Sequence, residues 1–202
     1  MGKLLRFIDA DYIHFITTKT QNRVSLFNNK KNCLILLKII NILRNQLKFK
    51  LLGYVIMPDH LHLLIKPSAE NSYNVSYIMM MIKGCSAREI NIAEAKPSAS
   101  RTEEIKHLHK DPTRLGEGLA LPDKDPTRLG EGLASPREKT WQKSFYDFPI
   151  YSDKKFKEKL NYIHNNPLKT CLVDNLDNYL WSSYQNYYLN NNTLITINYL
   201  DD

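Results

Sequence analysis

His60-Leu61-His62 places two imidazoles two residues apart. On an extended strand, residues i and i+2 project from one face while the residue between them turns to the other. Leu61 can then enter a core while both imidazoles point together, and two neutral imidazoles on one face are half of a metal site. Taken alone, such a triplet is more readily two half-exposed histidines on a hairpin. It does not stand alone. Far along the chain comes Tyr162-Ile163-His164-Asn165-Asn166-Pro167, in which Tyr162 and Asn166, four residues apart, share one helix face. A tyrosine acts as a covalent nucleophile once a metal or base activates it or its electrophile. Tyr162 alone is one of 12 tyrosines and Asn166 alone is a residue before a proline. The conjunction of phenol, carboxamide and paired imidazoles points to metal-assisted nucleophilic chemistry.

The elements that must position these groups are legible as patterns. Residues 12–19 are β-branched and aromatic with partial alternation, which predicts a strand. Residues 32–47 carry apolar side chains at helical spacing, with Asn28 or Asn29 as a cap. Lys50 to Met57 and Leu61 to Ile65 read as strands joined at Pro58-Asp59 into a hairpin. Ser72 to Ile92 reads as a helix and Thr140 to Ile150 as a strand. Asp153 to Asn166 reads as a helix capped by Ser152 and ended by Pro167. The order β-α-β-β-α-β-α predicts an α+β fold: a ferredoxin-like split β-α-β with an antiparallel sheet and an extra C-terminal helix bearing Tyr162.

Between Glu94 and Lys139 the chain changes character. Lys110 to Ala120 recurs, residue for residue, as Lys124 to Ala134. Two short copies do not make a solenoid. The stretch contains four of the seven glycines and five of the nine prolines, a composition that cannot bury enough apolar surface to offset chain ordering. Residues 94–139 are therefore expected to be a disordered, low-complexity insertion within a single domain spanning 1–202. Gly116-Glu117-Gly118 lacks the strand and the GKS/T of a phosphate loop.

The formal charge is +7 over 202 residues. The stretch 94–139 is neutral, with nine Lys and Arg against nine Asp and Glu, so the rest of the chain carries the whole excess. A basic body suggests a polyanionic partner, nucleic acid first. Three scattered cysteines without a CxxC pair argue against a disulfide framework or a cysteine zinc site. There is no apolar run long enough for a membrane span, and the start does not read as a signal peptide. A cytoplasmic location follows as the expectation.

Gly53-Tyr54-Val55-Ile56-Met57-Pro58-Asp59-His60-Leu61-His62-Leu63-Leu64-Ile65 resembles the core of the single-tyrosine HUH transposases of bacterial insertion sequences, and especially the REP-associated tyrosine transposases. Residues 162–167, Leu172-Val173, Tyr179 to Tyr184, Trp141-Gln142 and Phe145-Tyr146 are similar to the same family's later motifs. The resemblance implies that His60 and His62 are metal ligands and that Asn166 is a third, where related enzymes often carry glutamine. It implies that Tyr162 attacks a DNA phosphodiester to form a 5′-phosphotyrosine link. Mg2+ or Mn2+ is the implied cofactor, and histidine ligation mildly favours Mn2+. The implied partner is single-stranded or hairpin DNA, and the family includes sites built within one chain and across a homodimer.

Lys83 and Arg88 on the second helix, and Lys154, Lys155, Lys157 and Lys159 on the last, are the candidate phosphate contacts, although a solvated helix face is the ordinary fate of any one lysine. Tyr179, Trp181, Tyr184, Tyr187 and Tyr188 are candidate base-stacking residues, with Trp181 better read as core. Tyr146 and Tyr151 rank below Tyr162 as nucleophiles because Ile150 and Lys155 occupy their i+4 positions. His164 is placed outside the site and His14 on a strand. Two other functions fit the same features less well. One is a decayed or domesticated transposase that binds DNA hairpins without cutting; the other is an RNA-binding ferredoxin-like module.

Overall fold

The computed structural model describes residues 12–69, 73–95 and 139–200. The strands are β1 (Ile13–Lys19), β2 (Lys50–Met57), β3 (His60–Lys66) and β4 (Tyr146–Ile150). The helices are α1 (Lys30–Leu47), α2 (Val75–Ala95), α3 (Asp153–Lys169) and α4 (Tyr184–Leu189). The strands lie in the order β2-β3-β1-β4, and every neighbouring pair is antiparallel. This is the ferredoxin-like α+β plan read from the sequence, with α3 as the added helix. Among the described residues no helix is long and apolar enough to cross a membrane.

The chain divides into two compact units, one of residues 1–90 with 139–202 and the other of residues 91–138. The expected insertion and its repeat lie outside the described residues, except at the ends. There α2 continues to Ala95, past the expected end at Ile92.

Register decides what each sheet face carries. Thr17 of β1 stands opposite His62 of β3 and Tyr146 of β4, and Val55 of β2 stands opposite His62. One face therefore presents Phe15, Thr17, Gly53, Val55, Met57, His60, His62, Leu64, Tyr146, Phe148 and Ile150. Helix α3 packs there: Phe156, Leu160 and Ile163 join Phe15, Leu52, Val55, Met57, Leu64 and Ile150 in one buried cluster. Leu61, as expected for the residue between the histidines, faces the other way and is fully buried.

Gly53 sets how closely α3 can approach. A Cβ built on it would sit 3.0 Å from a Leu160 methyl and 3.1 Å from an Ile163 methyl. Alanine would ask those methyls to give by a few tenths of an ångström, while the two further methyls of valine would enter space α3 already fills. Gly53→Val is therefore expected to lower stability by about 1–3 kcal/mol through overpacking, measurable by chemical denaturation. Because the strain falls one residue from Tyr162, the displaced helix should also slow any chemistry that Tyr162 performs.

Two expectations need correction. Helix α3 does not end before Pro167 but runs to Lys169 with the proline inside it. A proline there removes its own N–H bond and crowds the carbonyl four residues before it, that of Ile163, so the last turn depends on other bonds. That turn is closed by the Thr170 N–H and hydroxyl, which both donate to Asn166 O, and by the Leu172 N–H donating to Pro167 O. The last strand spans only Tyr146–Ile150 instead of starting at Thr140. Trp141 makes an isolated bridge with Thr20 and is buried, donating from its indole to Ser86 Oγ at 3.0 Å. The segment after it is drawn out of the ladder by Lys83, whose ammonium donates to the carbonyls of Gln142, Lys143 and Ser144.

The free edge of β2 is covered by the C-terminal segment. The Ile56 N–H donates to Trp181 O, the Ser183 N–H to Tyr54 O and the Asn198 N–H to Leu51 O. This removes an open row of backbone groups that would otherwise pair with another chain. Trp181 is half-buried.

Candidate active site

The turn after β2 delivers His60 and the pleat of β3 delivers His62, their ring centroids 4.8 Å apart and edge to face. From the helix side, the Tyr162 ring meets His62 at 5.5 Å and Phe15 at 5.9 Å. His62 is stacked on Phe15 at 5.4 Å with an interplanar angle of 18°. His60, His62 and the Tyr162 ring thus come together within one chain. Tyr162 is 41% exposed, so its ring is packed on one side and open to a substrate on the other.

Each imidazole is held through its Nδ1. His60 Nδ1 lies 2.6 Å from Asp59 Oδ1, and the other oxygen of that carboxylate accepts from Arg23 Nε at 2.7 Å. His62 Nδ1 lies 2.7 Å from Thr17 Oγ1. His62 Nε2 is buried with no hydrogen-bond partner. Burial, reinforced by His60 and by the ammonium groups of Lys159 and Lys19, pushes the pKa of His62 down to about 3. His60 is also lowered, first by burial, against the opposing pull of Asp59. Both rings are thereby kept neutral, the state in which an imidazole can ligate a metal.

Asn166 stands one turn beyond Tyr162 on α3. It is buried, and its amide nitrogen has no partner. Turned over, the amide would put a metal-ligating oxygen where that nitrogen lies. Among the described residues no three His, Cys, Asp or Glu side chains cluster as a metal site. Two neutral imidazoles and a carboxamide are nonetheless donor types that a divalent ion accepts. An unpartnered buried Nε2 on His62 is the atom such an ion would satisfy.

The candidate phosphate contacts separate. Lys159 Nζ lies 4.7 Å from the Phe15 ring centroid and 5.9 Å from that of Tyr162, beside the site. Lys155 pairs with Glu158 at 2.7 Å. Lys154 and Lys157 are exposed on α3, and Arg88 is exposed on α2. Lys83 serves the fold through the three carbonyls it holds. Lys83→Met is accordingly expected to cost about 1–2 kcal/mol of stability, which a thermal melt checks.

Several residues of the site carried no signal that could be read along the chain. Thr17, Asp59 and Arg23 matter only through register and turn geometry. Lys169, whose Nζ lies 5.7 Å from the Tyr162 ring, could have been found: it is seven residues after Tyr162 on the same helix face. It was hidden by ending the helix at Pro167.

The rival tyrosines sit at the margin. Tyr146 packs edge-on to Phe15 at 6.3 Å, and Tyr151 packs against Tyr12 and Phe148. His164 is on another face of α3, its Nε2 2.8 Å from Ser183 Oγ among the rings of Tyr184, Tyr187 and Tyr188. Burial lowers its pKa to about 4. His14 is a buried strand residue paired with Asp147 at 2.8 Å. Of the tyrosines proposed for base stacking, Tyr179 and Tyr187 spend their hydroxyls on the carbonyls of Ile56 and Leu52, while Tyr188 is 57% exposed.

Comparison with known proteins gives three findings. Residues 8–111, just over half of the chain, match the family described as "Transposase IS200 like". The matched stretch includes His60 and His62, and Tyr162 lies beyond it. Among solved structures, the chain is similar to a REP-associated tyrosine transposase bound to a REP hairpin, with a TM-score of 0.62 and 16% identity over 91% of this chain and 83% of that one. A crystal structure of a candidate transposase from Deinococcus radiodurans R1 also matches, with a TM-score of 0.42 and 18% identity over 82% of this chain and 95% of that one. No curated protein matches the chain.

Proposed function

Because the chain belongs to the IS200-like transposase family, we propose that it is a metal-dependent strand transferase. It cuts and rejoins single-stranded DNA through Tyr162, next to a hairpin that it binds. The observation that carries this reading is the meeting of the Tyr162 ring with His62 at 5.5 Å, where His62 keeps a buried, unpartnered Nε2.

In this mechanism His60, His62 and Asn166 would hold Mn2+ or Mg2+. When bound, the ion supplies Lewis-acid polarisation of a phosphoryl oxygen and orients the scissile bond. The rest is the work of the chain's own residues. The Tyr162 hydroxyl gives its proton to solvent water, and its oxygen attacks the phosphorus of a phosphodiester. The P–O3′ bond breaks, and the departing 3′ oxygen takes up a proton. The 5′-phosphotyrosine link conserves the bond, so a second 3′-OH can attack the same phosphorus and release Tyr162 without a nucleotide cofactor. Phe15 and His62 both meet the Tyr162 ring edge to face and limit the directions from which its oxygen can approach. Lys159 and Lys169 place two positive charges beside that ring, where a phosphodiester's charge would be received. Lys154, Lys155 and Lys157 add positive charge around α3 and would contact the hairpin backbone. Arg88, on α2, would be a more distant contact.

In this reading Tyr162 and the histidines of one site come from the same chain. The substrate would be met in the cytoplasm, on nucleoid DNA exposed as single strands. The test is incubation of the full chain with single-stranded oligonucleotides that contain a hairpin, with Mn2+ or Mg2+ added, followed by a denaturing gel. A metal-dependent band in which protein and DNA migrate together supports the reading. Tight hairpin binding with no such band under either metal would replace it with a hairpin-binding protein that no longer cuts.

A further inference from the structure

We propose that Asp59 and Thr17 are positioning residues that fix His60 and His62 as Nδ1–H tautomers, leaving both Nε2 lone pairs free for the metal, and that Arg23 holds Asp59 in place. The inference rests on the metal site proposed above and extends it to the groups behind the ligands.

For His60 the tautomer follows from the partner. An ionised carboxylate only accepts, so a 2.6 Å contact between His60 Nδ1 and Asp59 Oδ1 requires the proton on Nδ1. The second oxygen of that carboxylate is engaged as well, accepting from Arg23 Nε at 2.7 Å. Arg23 reaches that oxygen from an unusual backbone. Asn22 and Arg23 have φ of 52° and 58°, and two successive residues other than glycine in the left-handed region are uncommon and cost free energy. The loop is sewn to the turn that bears His60. The Thr20 N–H and hydroxyl both donate to Asp59 O, at 2.9 and 3.0 Å, and the Phe27 N–H donates to Pro58 O at 2.9 Å. The strain is held where it aims a charge at Asp59.

For His62 the sheet does the same work. Thr17 is directly opposite His62 in the β1–β3 register, and its Oγ1 lies 2.7 Å from Nδ1. The two tautomers differ in what they leave on the buried Nε2: a bare lone pair or an N–H without an acceptor. A buried orphan N–H is the rarer and costlier state. The proton therefore belongs on Nδ1, donated to Thr17, and the lone pair on Nε2. Partners behind a ligating histidine typically change metal affinity ten- to a hundredfold.

The experiment uses the full chain labelled with 15N-histidine, first without metal and then titrated with Mn2+. Long-range 1H–15N spectra should show His60 and His62 protonated at Nδ1 and bare at Nε2. Thr17→Val should free the tautomer of His62 and weaken Mn2+ binding about ten- to a hundredfold, and Thr17→Ser should restore both. Asp59→Ala should do the same to His60, with partial recovery in Asp59→Asn, whose amide oxygen still accepts. A parent-chain spectrum with either imidazole protonated at Nε2 would overturn the assignment even if a variant fails to fold. Parental Mn2+ affinity in both Thr17→Val and Asp59→Ala would overturn it as well. A parent chain that shows both Nδ1–H tautomers but binds no Mn2+ would overturn the metal reading and leave the orientation of the imidazoles standing.

Discussion

Tyr162→Phe is expected to abolish the covalent protein–DNA adduct while hairpin binding survives. The substitution removes one oxygen and little else. The ring's contacts with Phe15 at 5.9 Å and His62 at 5.5 Å are apolar or edge-on and need no hydroxyl. Among the described residues no hydrogen bond ties that hydroxyl, so its loss leaves no buried group unpaired. Stability should stay near that of the parent, since the ring is 41% exposed. Removal of a nucleophile typically lowers turnover by roughly 10⁴-fold or more, which on a denaturing gel is loss of the shifted band. Tyr146 and Tyr151 are less well placed to replace it: among the described residues neither ring meets a histidine of the pair, Tyr146 packing on Phe15 and Tyr151 on Phe148. An adduct of normal yield from Tyr162→Phe would move the nucleophile elsewhere. The companion change Tyr146→Phe would then identify the nearest substitute.

His60→Ala and His62→Ala should both lose metal-dependent cleavage by at least about a hundredfold, but they should differ in their effect on the fold. His60 is partly exposed and its other contacts lie in the turn with Asp59, so removing it should move the melting temperature little. His62 is 4% exposed, stacked on Phe15 and bonded to Thr17. Its truncation opens a cavity between sheet and helix and strips Thr17 of its partner, at an expected cost of about 2–4 kcal/mol. Paired melting curves and Mn2+ titrations separate the two effects. Equal destabilisation by both substitutions would contradict the asymmetric burial, and retained Mn2+-dependent cleavage in His60→Ala would remove that residue from the ligand set.

Much of the frame was readable because it rests on local rules. The Asn29 side chain accepts from the Lys31 N–H and Ser152 from the Lys155 N–H, as capping preference predicts for α1 and α3. Pro58-Asp59 turns the hairpin, and the pleat sends Leu61 and the two histidines to opposite faces. Where reading along the chain failed, a partner distant in sequence had intervened. Lys83 and Trp141 shortened the last strand, and Thr170 let α3 pass through Pro167 and bring Lys169 to the site. In sequence a solvated lysine looks the same as Lys83, which meets three carbonyls only once the fold closes.

The sequence by itself determined the paired imidazoles on one strand face, the phenol and carboxamide on one helix face, and the basic body around them. These depend on spacings of two and four residues, which backbone geometry fixes without help from the rest of the molecule. Only the tertiary structure decided that the two faces meet. That meeting requires Gly53 to admit α3, while the β1–β3 register puts Thr17 behind His62 and a strained loop brings Arg23 to Asp59. Such contacts join residues far apart in the chain. Their free energy comes from packing and pairing that exist only once the sheet is closed, so no local pattern records them.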